Sequence, residues 1–326
     1  MDRTTYQSNT AGCPDCKYFP KIFIVPAIFI ILTGCSPLFE ANKVSPALPV
    51  KVRIESFPFF EQDNYHCAPA AAAMILTHLG SEISPNQLAE SIYTPGEKGA
   101  YQNDLITALR RQGKIVYKME SEINTLLSHV SAHSPVIVLL NLGFNWFPRY
   151  HYVVVTGYNL ESSRIVFTSG RKEEEVISID TFLRMWKRAG NWGILVLNPG
   201  VVPEYAVKMS FLQAVAGLEQ AGFLDHAEQS YKAALLKWGS GPEIFLALGN
   251  IALGREQYEQ AVISYEKALD QYPDSTIIRN NYAWALAHAG QLEKAHSNIL
   301  QAIEQDSGEC GNKCKNTLDF ITRSHH

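Results

Sequence analysis

The stretch 61–76, EQDNYHCAPAAAAMIL, sets a cysteine at the head of an alanine-rich run. In cysteine chemistry the thiolate is the nucleophile, not the thiol. A free cysteine with a pKa near 8.5 is only about 3% thiolate at neutral pH. The alanines after Cys67 favour a helix, and Pro69 fits its first turn. A helix N-terminus carries roughly half a positive charge from unpaired N–H groups. With an imidazolium beside it, such an end brings a thiol down to about 4–7. The position therefore suits a nucleophile, and the expected resting state is an ionised sulfur. Gln62, upstream of Cys67, brings an amide to the same neighbourhood. Read alone, it is either a surface glutamine or a donor to a reacting oxygen.

A nucleophile of this kind needs a base, and the chain has ten histidines. His226, His288 and His296 fall on helical patterns of the second half and read as surface residues. His325 and His326 end the chain. His66 adjoins Cys67 but points elsewhere at a helix entry, and His78 lies most of three turns further on. His129 and His133 sit in a polar stretch. His151 opens an apolar strand, HYVVVTGY, where a ring is held rigidly near a sheet edge. Taken alone, such a histidine reads better as a packed, satisfied core residue.

The elements that must position these residues follow from pattern. Helices are expected at 68–79, at 84–92 with Ser84 as N-cap and Pro85 after it, at 101–112, and more weakly at 122–131. Strands are expected at 135–141, 150–158, 164–168, 175–179 and 193–197, with a short helix at 181–189. Helices first and a mainly antiparallel sheet second is an α+β order, and this domain is bounded at 53–200. Residues 208–309 divide into three blocks of 34: 208–241, 242–275 and 276–309. Small residues recur in register at Ala227, Ala261 and Ala295, and again at Ala234, Ala268 and Ala302. This resembles the tetratricopeptide repeat, in which small residues let paired helices approach and each pair covers its neighbour's apolar face. An all-α repeat solenoid with a shallow groove is expected, followed by a tail at 310–326.

Gln62, Cys67-Ala68-Pro69 and the His151 strand together resemble papain-like cysteine peptidases of the bacteriocin-processing, double-glycine type. The likeness is closer to their free-standing C39-like relatives, found in bacterial lipoproteins that end in tetratricopeptide repeats. The resemblance implies a papain-like domain in which Cys67 attacks, His151 is the base and Gln62 supplies the oxyanion hole. The chain departs from the pattern in two places. Ala68 stands where the family usually has glycine. The strand after the histidine, RIVFTSG, ends in Thr168 and Ser169 where the family commonly has an aspartate. A hydroxyl orients an imidazole but does not balance its charge as a carboxylate does. Thr168, Ser169 and Asn159 are the candidates for this third position, with a carboxylate from elsewhere as the alternative.

Lys17 and Lys21 precede an apolar stretch, 22–34, that ends in Leu32-Thr33-Gly34-Cys35. A spanning helix needs roughly 20 apolar residues, so this stretch reads as a secretory signal over 1–34. The tetrapeptide resembles a bacterial lipoprotein box, which implies cleavage before Cys35 and its lipidation. Ser36 implies an outer-membrane, periplasm-facing location, and the proline-rich stretch 35–52 reads as a tether. Net charge is −4 with no basic run, which argues against nucleic-acid or acidic-lipid surfaces. Cys13 and Cys16 have no partner pair for a zinc site and lie in the leader. Cys310 and Cys314 suit a small disulfide staple. No phosphate loop, dinucleotide fingerprint or zinc-protease helix occurs, so no cofactor or metal is expected. Arg171–Glu175 reads as a solvated charge run, and 145–148 as either a cleft wall or a packed turn. Three functions compete: a lipid-anchored thiol peptidase whose repeats hold a protein substrate or partner, an inactive papain-like binding module, and a cell-wall amide hydrolase.

Overall fold

In the computed structural model the described residues are 39, 45, 47–61, 66–93, 99–306 and 308–324. Gln62 and Cys35 lie outside them, as does the whole apolar stretch 22–34. Helix α1 (Cys67–His78) is buried along Ala68–Leu76, apolar on every side. That pattern belongs to a central helix rather than an amphipathic one. Its neighbours are α2 (Pro85–Ile92) and α3 (Gln102–Arg111) on one side and the sheet on the other. α2 begins with a capping box, in which the Ser84 N–H donates to Gln87 Oε1 at 2.8 Å.

The sheet has seven strands, all paired antiparallel. They are β1 (Lys51–Arg53), β2 (Ile115–Lys118), β3 (Val136–Asn141), β4 (Tyr150–Asn159), β5 (Arg164–Thr168), β6 (Glu175–Ser178) and β7 (Gly193–Leu197). Their order is β2-β7-β3-β4-β5-β6, with β1 on the far half of β4. Side chains alternate between two cores, as strand geometry requires. Ile137, Leu139, Tyr152 and Val154 pack with α1, α2 and α3. Val136, Val138, Leu140, Val153 and Val155 pack on the opposite face. Both faces are covered, so the strands read as continuous apolar runs rather than alternating ones. Gly157 lies where β1 crosses β4: a Cβ there would meet the Val52 carbonyl oxygen at 2.6 Å.

The second face is covered by α4 (Ile123–Ser131), α5 (Ile179–Arg188) and the first repeat. Phe211, Leu212, Val215 and Leu218 of α6 (Lys208–Gln220) and Tyr231 of α7 (Leu224–Trp238) share one core with the sheet. The sheet region and the repeats therefore join through common core. Two further repeats follow: α8 (Pro242–Gly254) with α9 (Tyr258–Gln271), then α10 (Thr276–His288) with α11 (Leu292–Glu304). Ala227, Ala234, Ala261, Ala268, Ala295 and Ala302 are fully buried, as the period requires. Gly249 admits the Tyr265 ring, which a Cβ would meet at 2.5 Å.

Four expectations are corrected. The tether 35–52 is partly docked: Phe39 and Leu48 are buried, the Phe39 N–H donates to Asp180 Oδ1 at 2.9 Å, and β1 begins at Lys51. The tail carries a further helix, α12 (Gly311–Ser324), packed on α10 and α11, with a Cys310–Cys314 disulfide at its start. His288 is not a surface residue, because Tyr258, Phe320 and Trp284 surround it at 4.8, 4.8 and 4.9 Å. His226 is likewise stacked on Phe223 at 5.6 Å. His129, expected in a polar stretch, is wholly buried on α4, edge-on to Tyr117 and Tyr205. Among the described residues no helix is long and apolar enough to cross a membrane.

His129 supports a stability prediction. Neither ring nitrogen has a hydrogen-bond partner, and burial, helped by Lys237, lowers its pKa to about 4. A pKa depressed on folding gives stability that is complete above about 6.5 and is lost as pH falls toward about 4. Denaturant unfolding of wild type and His129→Leu at pH 7 and pH 5 should show wild type losing about 2 kcal/mol more than the variant over that interval. Equal losses contradict the assignment.

Candidate active site

Cys67 is the first residue of α1. Its N-cap, His66, offers no side-chain acceptor, and Pro69 has no N–H to satisfy. The sulfur fills that role: the N–H groups of Cys67 and Ala68 both donate to it. A third N–H comes from Tyr152 on β4, the residue after His151. This contact across the α1–β4 packing seats the sulfur against the strand end that carries the histidine. Among the described residues Cys67 is a free cysteine and is half-buried.

His151 is the second residue of β4 and is buried at 6% exposure. Its Nε2 lies 3.1 Å from the Ser169 carbonyl oxygen. A carbonyl only accepts, so that contact assigns the ring proton to Nε2 and leaves Nδ1 as the basic nitrogen. Burial pushes the ring below its ordinary pKa, with Arg171 and Arg149 adding to the shift, while the Ser169 carbonyl and Glu175 oppose it.

The electrostatics differ from the sequence expectation. Burial is the largest influence on Cys67 and pushes the thiol up; the three N–H groups and Arg171 pull it down without overcoming burial. The helix end lies where the pattern placed it, but desolvation of a charge outweighs its dipole. Thiol and imidazole are thus both neutral at pH 7, rather than a preformed ion pair.

The third-position candidates separate. Asn159 is eight residues along β4 from His151, about 26 Å at strand rise, and its Oδ1 accepts from the Ser162 N–H. It does not reach the ring. The Thr168 hydroxyl turns to the Lys172 carbonyl at 3.3 Å and to Met74 Sδ on α1 at 3.7 Å. Ser169 meets His151, but through its main-chain oxygen. Its hydroxyl donates instead to Glu175 Oε1 and accepts from the Arg171 N–H at 3.3 Å. Arg171 and Glu175 were missed in the charge run. The signal was the hairpin itself: β5 and β6 fold back so that Phe167 pairs with Glu175, returning that carboxylate toward the strand end at Ser169. The segment 145–148 is an exposed turn rather than a packed one. Phe144, Trp146 and Phe147 are exposed, with Phe144 stacked on Trp146 at 5.6 Å. Among the described residues no group of three or more His, Cys, Asp or Glu could hold a metal.

Residues 54–194 match the model of the Peptidase C39 like family. Residues 212–275 and 246–309 each match the tetratricopeptide repeat. No curated protein matches the chain. Solved structures similar to it include a C39-like peptidase from Bacillus anthracis, at 20% identity and TM-score 0.39, covering 45% of this chain and 97% of that one. The peptidase domain of Streptococcus ComA, a bi-functional ABC transporter of a quorum-sensing pathway, matches at 21% identity and TM-score 0.37, covering 43% and 98%. Xylellain, a cysteine protease from Xylella fastidiosa, matches at 12% identity and TM-score 0.36, covering 50% and 90%.

The neutral resting thiol has a direct readout. Carbamidomethylation of Cys67 by iodoacetamide, followed by mass spectrometry, should accelerate with pH through a midpoint above the ordinary thiol range. A rate already maximal near pH 6 contradicts this electrostatic picture.

Proposed function

We propose that this chain, a C39-like cysteine peptidase fold followed by tetratricopeptide repeats, is a lipid-anchored peptidase of the bacterial envelope that cleaves a peptide bond in a protein substrate. The observation that carries the reading is the Tyr152 N–H on the Cys67 sulfur, next to a histidine whose Nε2 is held by the Ser169 carbonyl. Cys67 attacks the scissile carbonyl carbon, and its proton passes to His151 Nδ1 as the S–C bond forms. The oxyanion is met by the Cys67 main-chain N–H and the Gln62 amide, each donor contributing about 3–4 kcal/mol. The C–N bond then breaks as His151 protonates the leaving amine. Water, deprotonated by the same ring, hydrolyses the thioester and restores the thiol.

The repeats bind the substrate or a protein partner, and the exposed aromatic tip at 144–147, just before β4, offers the substrate an apolar contact. The apolar stretch 22–34 ending at Cys35 supports a lipid anchor, and Ser36 supports the periplasmic face of the outer membrane. No nucleic acid takes part. A second reading, a weak or inactive binding module, is favoured by the upward shift of the thiol and by the lack, among the described residues, of a carboxylate bonded directly to His151.

A Cys67→Ala chain, retained in the envelope, should capture polypeptides that the wild type cuts at a defined bond, read by mass spectrometry. Cys67→Ala and His151→Ala should abolish the cleavage, and Gln62→Ala should slow it about a hundredfold or more. Captured polypeptides left intact by wild-type protein would leave the binding module as the function. Fragments released from purified cell wall instead would point to an amide hydrolase of peptidoglycan.

A further inference from the structure

His151 must carry a positive charge once it has taken the thiol proton, and a carbonyl dipole alone balances that charge poorly. Two cations already face the ring, Arg171 from the β5–β6 loop and Arg149 from the residues before β4. The one carboxylate among the charged groups acting on it is Glu175. The remaining titratable group of the site, Cys67, lies against the amide of the next residue, Tyr152.

Glu175 is not placed by chance of a mobile surface chain. It is half-buried at the start of β6, opposite Phe167, and accepts from the Ser169 hydroxyl. Ser169 itself is 3% exposed and anchored four ways. Its carbonyl accepts from His151, its hydroxyl donates to Glu175 and accepts from the Arg171 N–H, and its own N–H donates to the Lys172 carbonyl at 3.4 Å. The neighbouring Glu174 is engaged elsewhere, in an ion pair with Arg53 of β1. The loop thus sorts its glutamates, turning one outward to β1 and one inward to Ser169.

Resting on the peptidase reading, we propose that Ser169 and Glu175 jointly fill the third catalytic position: the Ser169 carbonyl orients the His151 ring, and the Glu175 carboxylate, fixed by the Ser169 hydroxyl, supplies the countercharge for the imidazolium. Glu175 is a positioning residue, acting through Ser169 and through its field. Arg171 on the same loop works in the opposite sense on the ring and in favour of the thiolate. The loop therefore presents two charges of opposite effect on the ring, Arg171 with the larger influence and Glu175 offsetting part of it, while Arg171 also favours the thiolate.

The test is an NMR titration of the His151 ring in the full chain, selectively labelled at histidine, for wild type, Glu175→Gln, Ser169→Ala and Arg171→Ala. Glu175→Gln should move the His151 midpoint to lower pH, by roughly half to one pH unit. Ser169→Ala keeps the orienting carbonyl but frees the carboxylate, and should move the midpoint the same way by a smaller amount. Arg171→Ala should move it to higher pH. A merely structural role would not produce opposite signs from one loop. Should Glu175→Gln fail to fold, Ser169→Ala and Arg171→Ala carry the measurement. A midpoint unmoved by the folded glutamate or serine variant overturns the proposal. The titration does not depend on cleavage, so a chain that cuts nothing yet shows these shifts loses the peptidase reading and keeps the arrangement. Active wild type with an unmoved midpoint does the reverse.

Discussion

The packing of one fully apolar helix against one strand governs the site. α1 has no polar face, so it is stable only where sheet and helices enclose it, and Ala68–Leu76 are buried accordingly. Its small side chains let the helix lie close to β4, closely enough for a strand amide to reach the sulfur at the helix head. Cys67 and Tyr152, the residue after His151, lie far apart in sequence and meet through this contact. A bulky residue among the alanines would separate the two elements and with them the chemistry, whatever the identity of the reacting groups.

The same burial sets the protonation of the site. The two amides of the helix end, the Tyr152 amide and an arginine all favour a charged sulfur, yet desolvation exceeds them. The ring is pushed the other way by the same cause, toward its neutral form. Both groups are therefore neutral at rest, and in the proposed mechanism charge appears only as the reaction proceeds. Groups arranged around that developing charge then matter most. They are the N–H donors at the sulfur, the Ser169 carbonyl at the ring, and the opposed charges of Arg171 and Glu175 on one hairpin.

Much of the frame was legible in the residues. Cys67 opens, and His151 nearly opens, an element with a strong pattern, an alanine-rich helix and an apolar strand. The 34-residue period exposed the repeats through alanines that are indeed buried. What escaped reading depended on tertiary cover. β1 is three residues long and exists because β4 offers it an edge. The first repeat shares core with the sheet, which a period cannot announce. The direction of the Cys67 shift required knowing what buries it. Glu175 looked like one charge in a solvated run because its role depends on a hairpin fold-back and on the rotamer of a serine. Asn159, attractive by type, lies at the wrong end of the strand.

The proposed mechanism requires the sulfur of Cys67 and the ring of His151, each held neutral at rest by burial, to be electrostatically coupled. The most direct measurement follows the His151 ring resonances well beyond its own titration, into alkaline solution, in wild type and in Cys67→Ala. The account predicts a second inflection in the wild type, above the ordinary thiol range, as the sulfur ionises, and its absence in the variant. A single inflection in both proteins would contradict the coupling, and a thiol-dependent step below neutral pH would contradict the neutral resting state.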